Sequence, residues 1–158
     1  MKKLFVLLIF IFLFPVTGCS RQEDFKNIYF SEIVDVEDAS REDLFDRVYI
    51  WFRFTFRRTL SFFLHASESE GILKLRHIHR ISHTEDLTAD IMSVITVEIR
   101  DGEYKITFSD AYYQVYDENG RPYGEETYLS PQDIPDEILL LWKNLADDLK
   151  QVVRRIHY

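Results

Sequence analysis

The sequence is poor in the residues that build disulfide-stapled, metal-thiolate or phosphate-binding proteins. Cys19 is its only cysteine, which excludes an intramolecular disulfide and a zinc site made of several thiolates. Its five glycines form no glycine-rich loop that cradles a phosphate, and no Gly-x-Ser-x-Gly elbow marks a catalytic serine. Basic side chains are outnumbered, 19 to 27, and a formal charge of −8 repels phosphate backbones. Nucleic acid is therefore not an expected partner.

The first residues have the pattern of a bacterial lipoprotein signal. Lys2 and Lys3 precede an apolar run, residues 4–14, that is shorter than the ~20 residues needed to span a bilayer. Gly18 then precedes Cys19, as in a lipobox, where the cysteine sulfur receives diacylglycerol before the chain is cut. The pattern predicts a signal peptide over residues 1–18, a lipidated tether over residues 19–24 and attachment of the protein to a membrane through lipid on Cys19.

The same region predicts where the protein resides. Loss of Lys2 and Lys3 leaves 17 basic against 27 acidic side chains, so the mature chain has a formal charge of −10. Two acyl chains hold a protein stably on a membrane, whereas one holds it only marginally. Ser20 follows the cysteine where an Asp commonly retains a lipoprotein in the inner membrane. We therefore expect a cell-envelope protein of the outer membrane and leave the leaflet open.

Residues 25–158 are predicted to form a single α+β domain. The content of apolar residues, 46%, is that of a packed globule. Periodicities of two and of 3.6 residues predict the order strand, helix, four strands, helix, with turn chemistry over residues 117–133. The predicted elements are a strand over Phe25–Val36, a helix capped by Ser40, strands around residues 60–65, 73–81, 91–99 and 104–108, and a helix from Pro135 to about Ile156. Two helices on one face of an antiparallel sheet would bury every apolar stripe.

The strongest turn signal is Asp101-Gly102, between the third and fourth of these four consecutive strands. It predicts a tight hairpin of the primed type, because glycine tolerates the positive φ that such turns require.

Three segments resemble a known family: Ser40–Trp51 (SREDLFDRVYIW), Glu68–Gly71 (ESEG) and Arg100–Lys105 (RDGEYK). Together with the element order they are similar to family 4468 of bacterial domains of unknown function, which have a TBP-like fold and occur in secreted proteins and lipoproteins of gut bacteria. The resemblance spans roughly residues 25–115. It implies a TBP-like β-α-β-β-β-β-α fold, with a curved antiparallel sheet whose outer face is free to bind, and it supplies no catalytic residues.

His77 and His79 are the weak candidates for metal ligands. Two residues apart on a strand, they project to the same side, and His65 or His83 is available as a third ligand. The alternative is a pair of half-buried histidines beneath a helix, since the same face carries Leu73, Leu75 and Ile81. We favour the alternative and expect no cofactor.

Basic residues and tyrosines are the candidates for a binding surface. Lys74, Arg76 and Arg80 share the solvent face of their strand and can receive an acidic glycan or a protein, or form ordinary cross-strand ion pairs. A cluster of tyrosines around residues 112–128 either contacts a ligand or covers the edge of the last strand. These tyrosines are Tyr112, Tyr113, Tyr116, Tyr123 and Tyr128.

The sequence thus predicts a non-enzymatic envelope lipoprotein that binds another envelope protein or a glycan. Two alternatives stay open: a metal-dependent envelope hydrolase using His77 and His79, and a structural subunit of a larger assembly.

Overall fold

The computed structural model describes residues 27–155, so the predicted signal peptide, the tether and Cys19 lie outside the described residues. The domain is α+β, as predicted, with six strands and two helices. The elements are β1 Ile28–Asp35, α1 Arg41–Thr55, β2 Phe62–Ser67, β3 Ile72–Ser82, β4 Thr88–Arg100, β5 Glu103–Tyr116, β6 Pro122–Tyr128 and α2 Asp136–Arg155. No helix within residues 27–155 has the length and hydropathy to cross a membrane.

The strands form one curved antiparallel sheet in the order β1-β5-β4-β3-β2, and β6 also pairs with β5. The first half of β5 pairs with β1, and its second half pairs with β6. Between the halves, Asp110 has a φ of 52° and the pairing register shifts. The interpretation of residues 117–133 as loop was wrong for Pro122–Tyr128, which form β6.

One face of the sheet and the two helices enclose the core. Alternation of apolar residues predicts which side chains of β4 and β5 point inward, and these are buried: Ile91, Ile95, Val97, Ile99, Tyr104, Ile106 and Phe108. Trp142 of α2 stacks on Phe108 with ring centroids 5.5 Å apart. Across the helix pair, Trp51 Nε1 donates a 2.7 Å hydrogen bond to Asp148 Oδ2. The main buried side chains of the helices are Leu44, Val48, Trp51 and Phe52 on α1 and Ile138, Trp142, Leu149 and Val153 on α2.

The Asp101-Gly102 hairpin joins β4 to β5 and also holds the start of α1. Ser40 caps this helix by accepting from Asp43 N at 3.2 Å, and Asp101 Oδ1 accepts from Arg41 N at 2.8 Å. The φ of Gly102 is 76°, whereas the φ of Asp101 is not positive. A primed turn needs positive φ at its first central residue. The hairpin is confirmed, and the predicted primed type was wrong.

Candidate functional site

The candidate site is the outer face of the sheet, by which we mean the side opposite the helices. A polar row crosses five strands of this face: the pairing register aligns His65 with Lys74, Lys74 with Thr96, Thr96 with Thr107, and Thr107 with Ser31. A residue of an antiparallel strand and its direct partner lie on the same face, with Cβ atoms ~5 Å apart. The sheet therefore carries a continuous polar stripe from β2 to β1.

The centre of the outer face contains buried hydroxyl groups without protein partners. Thr96 is 2% exposed and Ser109 is fully buried, yet neither side-chain oxygen has a hydrogen bond within the described residues. By contrast, Thr107 Oγ1 lies 3.2 Å from Ser31 Oγ. Leaving a buried hydroxyl unpaired costs ~1–3 kcal/mol. Buried polar atoms of this kind are few in native domains, so the hydrogen bonding at the centre of this face is incomplete within the described residues.

Two depressions lie along this face. The larger has a volume of about 720 Å³ and the smaller about 320 Å³, and Glu98 lines both. Glu98 Oε2 lies 3.6 Å from Lys105 Nζ, so the charges between the depressions are paired. The larger depression is lined by Leu64, His65, Glu70, Ile72, Lys74, Thr96 and Glu98, and the smaller by Ile33, Glu98, Arg100, Glu103 and Lys105.

The predicted basic residues lie on the outer face but differ in their environments. Burial lowers the pKa of Lys74, and the nearby carboxylate of Glu98 acts against this shift. The Arg76 guanidinium lies 5.7 Å from the Phe62 ring centroid. Arg80 is held in a forked pair with the buried carboxylate of Asp90, with Nε–Oδ1 and Nη2–Oδ2 distances of 2.7 and 2.9 Å.

Because Asp90 is 4% exposed, Arg80 is the residue that neutralises it and is committed to that structural role. The hydrogen bond to Asp90 is the main cause of the raised pKa of Arg80, which thus stays charged. Lys74 and Arg76 remain candidates for contact.

The tyrosines do not form one surface. Tyr112 and Tyr128 are cross-strand partners in edge-to-face contact, 4.7 Å between centroids, and Tyr128 Oη donates to Asp110 Oδ1 at 2.8 Å. Burial, followed by this hydrogen bond, raises the pKa of Tyr128. Tyr113 packs against the core of the opposite face. These rings join β6 to β5, which is the covering role considered for them.

The two remaining tyrosines lie near the end of the β5–β6 hairpin. The Tyr116 ring lies under the Arg80 guanidinium at 5.7 Å. Tyr123 is 65% exposed, the largest exposure among these tyrosines, and is the only one of the five that stands out from the surface within residues 27–155.

The histidines are spread over three different environments. His77 Nδ1 lies 3.0 Å from Ser61 Oγ, its ring is 5.1 Å from Phe56, and its buried Nε2 has no partner within the described residues. Burial, with a smaller contribution from His79, lowers the pKa of His77 to about 4. The ring centroids of His77 and His79 are 6.3 Å apart, so the strand does bring this pair together.

The suggested third ligands are engaged elsewhere. His65 Nε2 lies 2.8 Å from Glu70 Oε2, and His83 Nδ1 lies 2.7 Å from the Tyr113 hydroxyl. Within residues 27–155 no three His, Cys, Asp or Glu side chains converge in a way that could hold a metal ion.

Comparison with known proteins identifies the family. The family model described as "Domain of unknown function (DUF4468) with TBP-like fold" matches residues 30–114, more than half of the chain. The chain belongs to the DUF4468 family. The resemblance inferred from residues 40–51, 68–71 and 100–105 is thereby confirmed.

Two solved structures share the fold of this DUF4468 chain. A TBP-like protein from Parabacteroides distasonis ATCC 8503 aligns with a TM-score of 0.63 at 15% identity, over 81% of this chain and 93% of that one. A DUF4468 family protein from Bacteroides ovatus ATCC 8483 aligns with a TM-score of 0.52 at 16% identity, over 77% and 78% of the two chains. No curated protein matches. At these identities the similarity shows the fold alone, and the family has no known function.

Thr96 and Ser109 are the site residues that the sequence analysis missed. Both occupy positions that alternate with apolar residues of β4 and β5, and this pattern predicts a solvated face. Both are nevertheless buried, with a paired strand on either side of each, and periodicity does not encode these cross-strand neighbours.

Proposed function

We propose that this protein is a lipid-anchored, non-enzymatic component of the bacterial cell envelope, of the outer membrane in particular, that binds a partner through the outer face of its sheet. The observation that carries the proposal is the polar row, with the unpaired, buried hydroxyl of Thr96 at its centre and that of Ser109 in the neighbouring row beside Val94. Since both oxygens are themselves buried, a partner would engage them through a bridging water or after the side chains above them move, and this would remove an energetic cost of the free domain.

A protein fits this face better than a glycan does. Exposed apolar side chains lie at both edges of the polar centre: Ile28 and Ile33 on β1, and Phe62 and Leu64 on β2, are between 44% and 63% exposed. Five strands at ~4.8 Å spacing give a face ~20 Å wide, which is the scale of a standard protein interface. The Tyr112 and Tyr128 rings contact each other edge to face, which leaves no flat aromatic platform for a sugar ring at that pair.

Photo-crosslinking in intact cells tests this partner site. A crosslinking amino acid at Leu64 should yield a discrete adduct, because this side chain lines the larger depression. Ile33→Asp, on the same face, should abolish the adduct, whereas Leu140→Asp on α2 should leave it unchanged; the two side chains are 63% and 59% exposed. An adduct that survives Ile33→Asp, or no adduct in repeated trials, would contradict the proposal.

Mass spectrometry identifies what is bound. An adduct between two copies of the chain would assign the structural assembly role that the sequence left open. Binding of purified protein to envelope glycan, lost in Ile33→Asp without any protein adduct, would replace the protein partner by a glycan.

The lipid anchor is tested separately. Intact-mass measurement of the native protein should show a chain that starts at Cys19 and carries diacylglycerol, and Cys19→Ala should lose both processing and membrane association. An unacylated amino terminus, or a cytosolic location, would refute this part of the proposal and leave the outer-face contact standing.

A further inference from the structure

A second surface, distinct from the outer face, lies on α1 and beside the edge strand β2. Leu44, Val48 and Trp51 bury the inner side of α1, whereas Ile50 and Phe54 point away from the core and are 36% and 69% exposed. With Arg53, Arg57 and Phe63 they form what we call the aromatic–arginine patch: Ile50, Arg53, Phe54, Arg57 and Phe63.

The patch is continuous. Arg53 and Arg57 line two adjoining depressions of about 420 and 270 Å³, the first with Ile50 and Phe54, the second with Phe63. Apolar side chains of this size, exposed together on an otherwise charged surface, indicate an interaction site.

The charge around the patch differs from that of the rest of the chain. Although the sequence contains 27 acidic residues, none lies between residues 47 and 67. Within residues 27–155, no ion pair involves Arg53, Arg57 or the neighbouring Arg58, all of which are exposed. In a protein of formal charge −8, the segment that supplies the patch thus carries only basic charges, and the nearest acid along α1 is Asp46, one turn before Ile50.

This charge decides the kind of occupant. A second copy seated on the same patch would bring arginines against arginines, and like charges in contact repel. An anionic surface is complementary instead, because guanidinium groups form forked hydrogen bonds with phosphate oxygens.

We infer that the aromatic–arginine patch docks the domain onto the anionic surface of a lipid bilayer, with Phe54 entering the interface and Arg53 and Arg57 contacting lipid phosphates. Amphipathic surfaces of this composition bind by apolar burial together with attraction to anionic lipid. The choice of a bilayer over an acidic protein rests on the proposed anchor, which already holds the domain beside a membrane.

The topology allows the anchor and the patch to reach one membrane together. The described chain begins next to β1, four strand spacings or about 19 Å across the sheet from β2. Eight residues from the predicted acylation site reach about 27 Å when extended. Anchor and patch therefore act as two linked contacts, and the second raises the residence time of the first.

Fluorescent labelling tests which face meets the bilayer. Because Cys19 is the only cysteine, Cys19→Ser gives a full-length chain free of thiols, into which a single Cys is placed by Phe54→Cys or, as a control on the outer face, by Ile33→Cys. The two original side chains have similar exposures of 69% and 63%. An environment-sensitive label at position 54 should shift to the blue with phosphatidylglycerol–phosphatidylcholine vesicles, whereas one at position 33 should not.

The arginines provide the matched comparison. In the Phe54→Cys chain, Arg53→Gln and Arg57→Gln should each raise, roughly fivefold at low salt, the lipid concentration at which the vesicle-dependent shift is half-complete. This factor corresponds to the attraction of one cationic residue to an anionic surface. Any leader segment is common to all these chains, so only the labelled position and the arginines differ.

Three results would overturn the inference. These are no shift at position 54, an equal shift at position 33, and a shift at position 54 that needs no vesicles and grows with protein concentration, which would place a second copy on the patch. The result is independent of acylation, so failure of the patch and failure of the anchor are distinguishable.

Discussion

The buried imidazole of His77 makes the stability of the domain depend on pH. Burial lowers its pKa to about 4, against ~6.5 in an unfolded chain. Above pH 6.5 the ring is neutral in both states, so the folded protein keeps its full stability. As the pH falls from 6.5 to 4, the unfolded chain takes up the proton first, and the free energy of unfolding falls. The pKa values of the folded and unfolded states differ by ~2.5, and each pKa unit corresponds to ~1.36 kcal/mol. The free energy of unfolding therefore falls by about 3 kcal/mol.

Urea unfolding between pH 4 and 7.5, followed by tryptophan fluorescence, measures this effect, because Trp51 and Trp142 are both buried. His77→Phe should remove the pH-linked loss. Between pH 7 and pH 4, its free energy of unfolding should therefore rise by about 3 kcal/mol relative to that of the wild type. A phenyl ring suits the site, since the imidazole already packs 5.1 Å from Phe56. Ser61 Oγ, the partner of His77 Nδ1, keeps its 2.7 Å hydrogen bond from Thr59.

His79→Phe is the control for this experiment. His79 lies on the same strand, with its ring centroid 6.3 Å from that of His77. It makes only the smaller contribution to the lowered pKa of His77, so most of the pH dependence should remain in His79→Phe. The reasoning would be refuted by an unchanged slope in His77→Phe, or by a wild type that gains stability toward pH 4.

Two further predictions concern single contacts. Gly71→Ala should cost about 3 kcal/mol in urea unfolding, because its φ is 66° and a Cβ would clash with the carbonyl oxygen of Ile99. Gly120→Ala, with a φ of 72° and open space around it, should cost only about 1 kcal/mol, and equal costs would contradict the explanation. Asp148→Ala should lose about 1.5 kcal/mol in thermal unfolding by removing the charged acceptor of the Trp51 indole, whereas Asp148→Asn keeps an acceptor and should lose less than half of that. Equal losses in the two Asp148 variants would assign the effect to charge alone.

The sequence predicts the inner face of the sheet well because burial there follows strict alternation. Ile95, Val97 and Ile106 are fully buried where period-two reading places them. Strand β6 escapes the same method, since Pro122 and Gly124 are turn formers and its side chains are mostly exposed. What makes this segment a strand is the edge of β5 that β1 leaves open, and such long-range pairing is not written in local sequence.

The candidate site was predictable only in outline. Alternation puts Lys74, Arg76 and Arg80 on one face, but only the structure shows that Arg80 neutralises the buried Asp90, its cross-strand partner. The register that aligns Thr96 with Thr107 follows from the two-residue Asp101-Gly102 turn and shifts only beyond Val94, whereas the burial of Thr96 depends on neighbours from three strands. Cross-strand neighbours therefore appear once the register is fixed, and with them the unpaired hydroxyl of Thr96.

The two surfaces should respond differently to salt, and this separates their roles. On the outer face Lys105 is paired with Glu98 and Arg80 with Asp90, so a partner meets a surface whose charges largely compensate each other. On the aromatic–arginine patch, Arg53 and Arg57 have no ion pair within the described residues, and their attraction to anionic lipid is screened within ~8 Å at 0.15 M salt. Raising the salt concentration from 50 to 300 mM should therefore weaken vesicle contact at position 54 severalfold while leaving the Leu64 adduct almost unchanged. If both fell together, one electrostatic contact would explain both sets of results, and the assignment of two independent faces would be wrong.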